Sequence, residues 1–371
     1  MSRLSEVRQR QVNVLMFRLD LLRELGTRRS ARRLLDNVRH RRRLPERNDR
    51  VAGQMWRAAA EELGAEVRQL APALLEFRAG GVITRVRGQT TPFVDPVSEA
   101  LASDKPLAYR LLEEAGVAVP RHALVPVGDL DTAIGFLERL GGPCIVKPAR
   151  GSGGNGVTGE VRNARQMRRA LVSAARYNHE ALLEQQCSGD SYRLLLLDGE
   201  VLGVLRRPRP QVVGDGQSTI ETLMSRQYAE RIESDGPAGL KPFMVDLDCL
   251  FTLEHAGLTV TSVLNAGACA HIKTATNYNG AKETIAVPPP YADSFTGPAR
   301  RAASVLGVRL AGVDIVAQRD GTAAVVLEVN PIPGLTHHYN VADGVSAPRV
   351  AVAILDALLG TRRSADTAMT P

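Results

Sequence analysis

The 371-residue sequence predicts an α/β protein with α+β character, built from two or three domains. Three observations support this prediction. Hydrophobic residues make up 44% of the chain, which is enough for a large core. Strand-like and helix-like segments alternate through its middle, and Asp198-Gly199 and Asp320-Gly321 each separate two apolar, strand-like segments. No stretch is long and apolar enough for a membrane span or a secretory signal, so we expect a cytoplasmic protein without a membrane partner.

The first 50 residues form a basic arm. Fifteen arginines stand there against six acids, so the arm carries +9 of charge and the remaining chain −2 of the total +7. Apolar residues at helical spacing over 14–22 predict a helix that docks by one face. Such an arm suits an acidic or anionic partner. Nucleic acid is the less favoured partner, because no aromatic residues interleave with the arginines. The sequence is also compatible with a homo-oligomer.

The remaining elements follow from caps, turns and periodicity. The expected helices cover Met55–Leu63, Leu107–Ala115, 164–176, about 292–306 and 346–359, and the expected strands cover 75–78, 82–86, 142–148, 156–162, 181–186, two segments within 192–204 and two within 310–329. The expected organisation is a basic helical arm (1–50), a small α/β domain (51–103), a subdomain with a glycine-rich loop (104–187), a larger α+β subdomain (188–360) and a disordered tail (361–371).

The segment CIVKPARGSGGNGV places Lys147 at the end of an apolar strand, just before a glycine-rich loop. The loop matches the dinucleotide fingerprint, but that fingerprint requires a helix after the loop, and Val157 begins a strand. A Walker loop is excluded because no Lys-Ser or Lys-Thr pair follows Gly156. Glycines expose backbone N–H groups to phosphate oxygens, and a lysine adds a cation. We therefore predict a loop that covers a triphosphate, with a purely structural turn as the alternative.

Two acids and one amide downstream form a predicted metal site. Glu328 and Asn330 share one face of a strand. A two-residue hairpin loop would pair Asp314 with Leu327 and turn the Asp314 carboxylate to the other face, whereas a three-residue loop over 319–321 brings it onto the Glu328 face. Hard oxygen ligands of this kind suit Mg²⁺. The alternative is an exposed hairpin with scattered acids.

Several of these motifs, taken together, resemble the ATP-grasp superfamily over about residues 100–360: Lys105 in SDKPLAYRLLEEAGVAVP, Lys147 in IVKP, the glycine loop, Glu184 in LLEQQC, and Asp314 with EVNPIPG. The segments YRLLLLDGEVLGVLRR and VVGDGQSTIETL resemble the cyanophycin synthetases and related amino-acid ligases, and EVNPIPGLTHH is similar to D-alanine:D-alanine ligase. The resemblance implies an ATP-grasp fold, in which two α+β subdomains grip ATP.

The resemblance also implies ligands for the nucleotide and the metal. Adenine is expected to contact Glu184 and the backbone of Gln186 and Cys187. The full set of expected ATP contacts is Lys105, Lys147, Gly151, Ser152, Gly153, Gly154, Asn155, Gly156, Val157, Glu184, Gln185, Gln186, Cys187, Asp190 and Ser191. Asp314, Glu328 and Asn330 are expected to hold two Mg²⁺ ions, for which Mn²⁺ would substitute. The family's ribose acid is replaced by Ser191, beside Asp190, which leaves the ribose contact open.

A second departure concerns the acyl phosphate. Dipeptide ligases carry an arginine two residues before the first metal acid, and that position is Gly312 here, so another cation must serve. Because neighbouring strand residues point to opposite faces, only one of Arg206 and Arg207 is expected to face the site. The catalytic candidates are Arg193, Arg206, Arg207, Asn265 and Lys273, and the candidate substrate contacts are Gly334, His337 and His338.

The expected function is that of an ATP- and Mg²⁺-dependent ligase. It would join the carboxylate of an amino acid or short peptide to an amine through an acyl phosphate, and release ADP and phosphate. One alternative is a nucleotide-binding regulator or inactive homologue whose basic arm binds RNA or a protein, although the intact acids at 314 and 328 count against it. The other alternative is a phosphotransferase.

Overall fold

The computed structural model describes residues 48–151, 153–233, 245–276, 284–319, 324–339, 341–342 and 349–360, with positions 12, 14–17, 19 and 22. Its helices are α1 (48–62), α2 (Pro96–Ser103), α3 (Lys105–Glu114), α4 (Leu130–Leu140), α5 (Ala164–Ala174), α6 (Ile220–Glu233), α7 (Leu247–His255), α8 (Asp293–Val305), a 3-10 turn (Leu335–Tyr339) and α9 (Val350–Leu359). Its strands are β1 (Glu66–Ala71), β2 (Leu74–Ala79), β3 (Val82–Arg87), β4 (His122–Pro126), β5 (Cys144–Pro148), β6 (Thr158–Val161), β7 (Glu180–Gln185), β8 (Asp190–Leu197), β9 (Glu200–Arg207), β10 (Gln211–Val213), β11 (Cys269–His271), β12 (Ile285–Val287), β13 (Leu310–Ala317) and β14 (Val325–Asn330).

The N-terminal sheet has the order β1-β2-β3 and is antiparallel throughout. Gly80 and Gly81 join β2 to β3 with φ of 55° and 82°, the left-handed pair that a type I′ turn requires. Trp56 of α1 packs on Phe77 of β2, with ring centroids 6.4 Å apart. The same core includes Leu197 of β8 and residues of α9, so this sheet is joined to the C-terminal part of the chain by buried apolar contacts.

The second sheet has the order β4-β7-β5-β6, and all of its neighbours are antiparallel. Helices α4 and α5 contribute Phe136 and Met167 to the core that also holds Val146 of β5. Glu184 of β7 lies opposite Ile145, which is two residues before Lys147. Because directly opposite residues and residues two apart share a face, Glu184 and Lys147 project from the same side of the sheet.

The third sheet has the order β12-β9-β8-β13-β14, with α8 packed against β13 and β14. Asp198 and Gly199 join β8 to β9 with φ of 50° and 83°, so the predicted tight turn at this dipeptide is confirmed. Arg193 of β8 lies opposite Asp314 of β13, which in turn lies opposite Glu328 of β14. Three charged side chains therefore form one row on one face of the sheet.

A bulge in β14 places Asp314 opposite Glu328. Near the turn, Ile315 pairs with Val326, but the preceding residue of β13, Asp314, pairs with Glu328, so Leu327 is the extra residue. The predicted common face of the two acids is thus present, but its explanation was wrong. The shift arises inside β14 instead of in a three-residue loop, and the loop positions 320–323 lie outside the described residues. The Leu327 carbonyl accepts a hydrogen bond from the Tyr109 hydroxyl at 2.8 Å.

Several boundaries and elements differ from the sequence prediction. Helix α3 begins at Lys105 instead of Leu107, because the Asp104 side chain accepts the hydrogen bond of the Leu107 N–H and caps the helix. The prediction gave no bounds for β1, β4, β10, β11, β12, α2, α4, α6 and α7. The expected tail over 361–371 lies outside the described residues. In the described part of the chain, no helix is both long and apolar enough to cross a membrane.

The described positions of the arm are helical and contact the second sheet's core through one aromatic side chain. Phe17 is buried, and the Arg176 guanidinium lies 3.5 Å from the centroid of its ring. Five other large apolar side chains described there are exposed, namely Val12, Leu15, Met16, Leu19 and Leu22, and Val14 is partly exposed. Among the described positions of the arm, Phe17 is the one buried side chain, so the docking of the arm by one apolar face stays a prediction.

Candidate active site

A cavity of about 730 Å³ is lined by residues of the second and third sheets. It brings together most of the residues that the sequence singled out: Lys105, Lys147, Gly151, Gly153, Gly154, Asn155, Val157, Glu184, Gln185, Gln186, Cys187, Asp190, Ser191, Arg206, Arg207, Asp314 and Glu328. Ser152 lies outside the described residues. Residues separated by more than 200 positions in sequence thus share one concave site, as a ligand-binding cleft requires.

Two buried lysines enter this cavity from different elements. Lys147, at the end of β5, forms an ion pair with the Glu184 carboxylate, and its Nζ donates a hydrogen bond to the Tyr109 hydroxyl at 3.4 Å. Lys105, the first residue of α3, donates from Nζ to the Gly151 carbonyl at 2.6 Å. Burial, with the nearby Glu184 charge, raises the pKa of Tyr109 well above its ordinary value. The tyrosine therefore stays neutral beside the lysine.

The glycine-rich loop has a backbone that favours glycine. Gly151, Gly153, Gly154 and Gly156 have φ of 133°, 69°, 72° and 76°, all in the left-handed region. At Gly156 a Cβ would lie 2.7 Å from the ring of Tyr177, so a side chain is excluded there by contact as well. The loop therefore presents bare backbone to the cavity, which is the geometry that phosphate oxygens can approach.

Opposite the lysines lies the charged row of the third sheet. Arg193 holds Asp314 with a two-pronged contact, Nε to Oδ1 and NH2 to Oδ2, both at 2.5 Å. Arg207 lies farther from it, with NH1 3.4 Å from Asp314 Oδ1. The side chains of Arg193, Arg207 and Asp314 are all buried. Two buried guanidinium groups therefore contact the same carboxylate. With Glu328, whose charge acts on both arginines, the group has two cations and two carboxylates, and Arg207 is the arginine of this group that lines the cavity.

The pKa values follow from this arrangement. Burial opposes ionisation of Asp314, but the charges of Arg193 and Arg207 outweigh it and lower the pKa of the carboxyl. Burial also disfavours the charged form of Arg193, yet the Asp314 carboxylate raises its pKa above the ordinary value. Burial and repulsion by Arg193 lower the pKa of Arg207 to about 10. Arg207 is therefore the arginine that gains most from an added anion.

The structure separates the roles of the three candidate arginines. Arg193 does not line the cavity but holds Asp314 from behind, whereas Arg207 lines it. Arg206 also lines the cavity and contacts Asp190, with NH1 to Oδ2 at 3.3 Å. The prediction that only one of Arg206 and Arg207 faces the site was wrong, because both lie in the last two positions of β9 and the long Arg206 side chain reaches across to Asp190.

Gly312 makes room for Arg193. A Cβ on Gly312 would lie 2.8 Å from the Pro333 side chain and 3.2 Å from Arg193 Cδ. Arg193 of β8 thus extends over Gly312, the position at which dipeptide ligases carry an arginine.

We expect Gly312→Ala to lower turnover by about tenfold, because a methyl group would push Arg193 off Asp314 and core overpacking costs about 1–3 kcal/mol. Steady-state ADP production measures the effect, and Gly128→Ala, where a Cβ would meet no atom within 4 Å, is the control. Equal turnover of Gly312→Ala and the unsubstituted protein would contradict the crowding argument.

The predicted metal site consists of two carboxylates and one amide. Asp314, Glu328 and Asn330 lie on one face of β13 and β14, and the Asn330 amide donates to the Gly312 carbonyl at 3.1 Å. Lys105 Nζ lies 3.3 Å from Glu328 Oε1. No cluster of three or more His, Cys, Asp or Glu side chains that could hold a metal ion occurs among the described residues. Two carboxylates and one amide suit Mg²⁺ only when phosphate or water completes the shell, so they fit a nucleotide-bound ion.

The structure does not bring the remaining candidates to the cavity wall. Lys273 is fully buried and pairs with Asp246 at 2.6 Å and with Asp248 at 3.6 Å, because an ammonium so deep needs carboxylate partners. Asn265 is exposed in the loop before β11. Five other predicted site residues do not line the cavity: Gly156, Asn330, Gly334, His337 and His338. Burial and the positive charges of Arg193 and Arg207 hold the pKa of His338 well below its ordinary value, so it is neutral.

Other cavity residues were missed by the sequence analysis. Arg209 and Thr274 line the wall beyond Arg207, and Arg209 NH2 donates to the Thr274 hydroxyl at 3.1 Å. His271 lines the same wall. The arginine-rich segment RRPRP was the available signal for Arg209, whereas nothing in the sequence near Thr274 marks a site.

Comparison with known proteins agrees with this geometry. A family model described as "Carbamoyl-phosphate synthase L chain, ATP binding domain" matches residues 104–193. Cyanophycin synthetase of Trichormus variabilis is 28% identical over 365 residues, covering 91% of this chain and 40% of the relative. The crystal structure of a bifunctional glutathione synthetase from Pasteurella multocida matches with a TM-score of 0.53 at 21% identity, covering 84% of this chain and 43% of the other. The chain has the ATP-grasp fold.

The predicted ATP-grasp resemblance and fold class are thereby confirmed. The glutathione biosynthesis bifunctional protein of Streptococcus mutans is a further relative, 26% identical over 230 residues, covering 60% of this chain and 30% of that protein. This ATP-grasp chain spans about 40% of the length of the cyanophycin synthetases that it matches. The likeness of EVNPIPG to D-alanine:D-alanine ligase stays a prediction.

We expect Lys105→Ala and Lys147→Ala each to weaken ATP binding by about tenfold, since each removes one cation from a buried site. Lys147→Ala should also lower stability, because it leaves the buried Glu184 carboxylate without its partner. Calorimetric titration with a non-hydrolysable ATP analogue measures the affinity, and the exposed Arg110→Ala on the same helix as Lys105 is the control. Unchanged affinity in both variants would remove these lysines from the nucleotide site.

Proposed function

We propose that this ATP-grasp protein is an ADP-forming ligase that joins the carboxylate of an amino acid or short peptide to an amine. The observation that carries the proposal is that one cavity has two buried lysines and a glycine loop on one side and the Arg207–Asp314–Glu328 cluster on the other. Its relatives support the reaction class, since they include cyanophycin synthetases and glutathione-forming proteins.

In this proposal the chain's residues hold the nucleotide and a developing anion. Lys105, Lys147 and the glycine loop neutralise and cover the phosphates of ATP. The substrate carboxylate attacks the γ-phosphate in line, which breaks the bond to ADP and forms an acyl phosphate. The Arg207 guanidinium, which lines the cavity, stabilises that anion. The amine then attacks the acyl carbon and displaces phosphate, so an amide, ADP and phosphate are the products.

Glu328, Asp314 and Asn330 would hold Mg²⁺ together with phosphate oxygens. The site would take two Mg²⁺ ions, and Mn²⁺ would substitute for them. When bound, the metal offsets the negative charge of the phosphates. Arg193 keeps the Asp314 carboxylate ionised and oriented toward the cavity for this role. Because the pKa of Asp314 is lowered, protonation does not compete at neutral pH.

The test is the identity of the products. The protein is incubated with ATP, Mg²⁺ and panels of amino acids and dipeptides, and the nucleotide and phosphate products are quantified. We expect ADP and phosphate only when a carboxylate and an amine are both present, and a hydroxamate when hydroxylamine replaces the amine. Formation of AMP would contradict the proposal, as would a stable phosphorylated product without any amide. Nucleotide binding without turnover on every panel would favour a regulator.

A further inference from the structure

Glu160 of β6 is buried, with 3% of its surface exposed, and it has φ of 54°. A residue with a side chain rarely adopts this left-handed conformation unless its surroundings compensate for the strain. Its neighbour Gly159 is fixed as well. The Gly159 N–H donates to Asp248 Oδ1 at 3.0 Å, and a Cβ there would lie 2.7 Å from the Thr274 side chain. This part of β6 is therefore held against residues 248 and 274.

Two hydrogen bonds join Glu160 to Gln186. The Gln186 side chain accepts from the Glu160 backbone N–H at 3.0 Å and donates to Glu160 Oε1 at 2.7 Å. Gln186 belongs to the segment 184–187, which lines the cavity at the end where the adenine is expected. The amide of Gln186 has both of its ends held by one residue, so Glu160 fixes the orientation of this side chain and the backbone that carries it.

The same carboxylate contacts the opposite wall. Arg209 NH2 lies 3.5 Å from Glu160 Oε1, and Arg209 also donates from Nε to the Lys273 carbonyl at 3.3 Å. The other carboxylate oxygen accepts two hydrogen bonds from Arg162, at 3.0 and 3.1 Å. Arg209 lines the cavity together with Arg207 and Thr274, and in the proposed function this wall would be the one for the acceptor.

We propose that Glu160 is a positioning residue that links the two walls of the cavity, holding Gln186 for the nucleotide and Arg209 for the acceptor substrate. The part of this inference that concerns Arg209 and the acceptor substrate rests on the proposed function, whereas the part that concerns Gln186 and the nucleotide does not. Its role is separate from the chemistry, because Glu160 does not itself line the cavity. An acceptor with a carboxylate near its amine is the class that Arg209 would recognise, since a charged guanidinium donates strong hydrogen bonds to a carboxylate.

Two variants separate the two contacts. In Glu160→Gln the side chain can still accept a hydrogen bond from Gln186 but no longer attracts Arg209, so we expect unchanged affinity for a non-hydrolysable ATP analogue and a KM for the acceptor raised about fivefold. In Glu160→Gly both carboxylate contacts are lost while the left-handed backbone is relieved. We expect a folded protein whose analogue affinity falls about fivefold and whose acceptor KM rises as in Glu160→Gln.

Glu76→Gln is the matched control. Glu76 is equally buried and bonds to Arg78 and Arg85, but it lies in the N-terminal sheet away from the cavity. Calorimetry and thermal melting are measured for all three variants. If Glu160→Gly binds the analogue like the unsubstituted protein, or if Glu76→Gln loses as much affinity as Glu160→Gly, the proposal is wrong. Calorimetry also separates it from the proposed function, because the affinity loss is expected even if no substrate pair is turned over.

Discussion

Glu328→Gln is expected to lower turnover by about a thousandfold while ATP still binds with reduced affinity, because one preorganised charge in a buried site contributes several kcal/mol to the transition state. Glu328 lies opposite Asp314 and 3.3 Å from Lys105, so the amide keeps the shape of the side chain but removes its charge from both neighbours. ADP production at saturating ATP and Mg²⁺ measures turnover, and calorimetry measures binding.

Glu200→Gln is the control for this substitution, since Glu200 begins β9 at the far end of the same sheet. Its turnover should equal that of the unsubstituted protein. Near-normal turnover of Glu328→Gln in excess Mg²⁺ would show that the acids of β13 and β14 are not the site of the reaction.

Arg193→Met is expected to lower both stability and turnover. The substitution removes the two-pronged contact and leaves the buried Asp314 with Arg207 alone at 3.4 Å. Removing one partner of a buried pair costs about 3–5 kcal/mol of unfolding free energy. Turnover should fall by at least about a hundredfold, because Asp314 loses its fixed orientation. Urea denaturation and ADP production measure the two effects.

The double variant Arg193→Met, Asp314→Leu distinguishes stability from chemistry. Replacing both charges with apolar side chains of similar size should restore most of the unfolding free energy, because a buried ion pair is often no more stabilising than a hydrophobic pair. Turnover should stay low, since Asp314 is gone. Full activity of the double variant would show that the pair serves the fold alone.

The sequence predicted the parts of the site that depend on local pattern. Lys147 and the glycine loop are neighbours in the chain, and glycine at four close positions has few explanations other than exposed backbone. The turn at Asp198-Gly199 was predicted for the same reason, since the dipeptide itself determines the turn type. These features could be predicted because the residues that cause them lie next to one another.

The parts that were missed depend on contacts between distant residues. Lys273 resembles a catalytic lysine in the sequence, but its burial against Asp246 depends on a helix 27 residues earlier. Glu160 has a backbone conformation that its residue type disfavours, so no propensity could indicate it. The approach of Arg193 to Gly312 requires the pairing of β8 with β13, which local sequence does not specify.

The bulge at Leu327 also determines where this hairpin can vary. The acids are aligned by the extra residue within β14 and by the pairing of β13 with β8, so their alignment does not depend on the number of residues between Ala317 and Val325. Insertions in that segment would lengthen a connection without moving either carboxylate, whereas a regular ladder that kept Leu327 in register would place Leu327 opposite Asp314 and turn Glu328 to the other face. The connection is thus a place to introduce a short peptide tag or a fluorescent label close to the cavity.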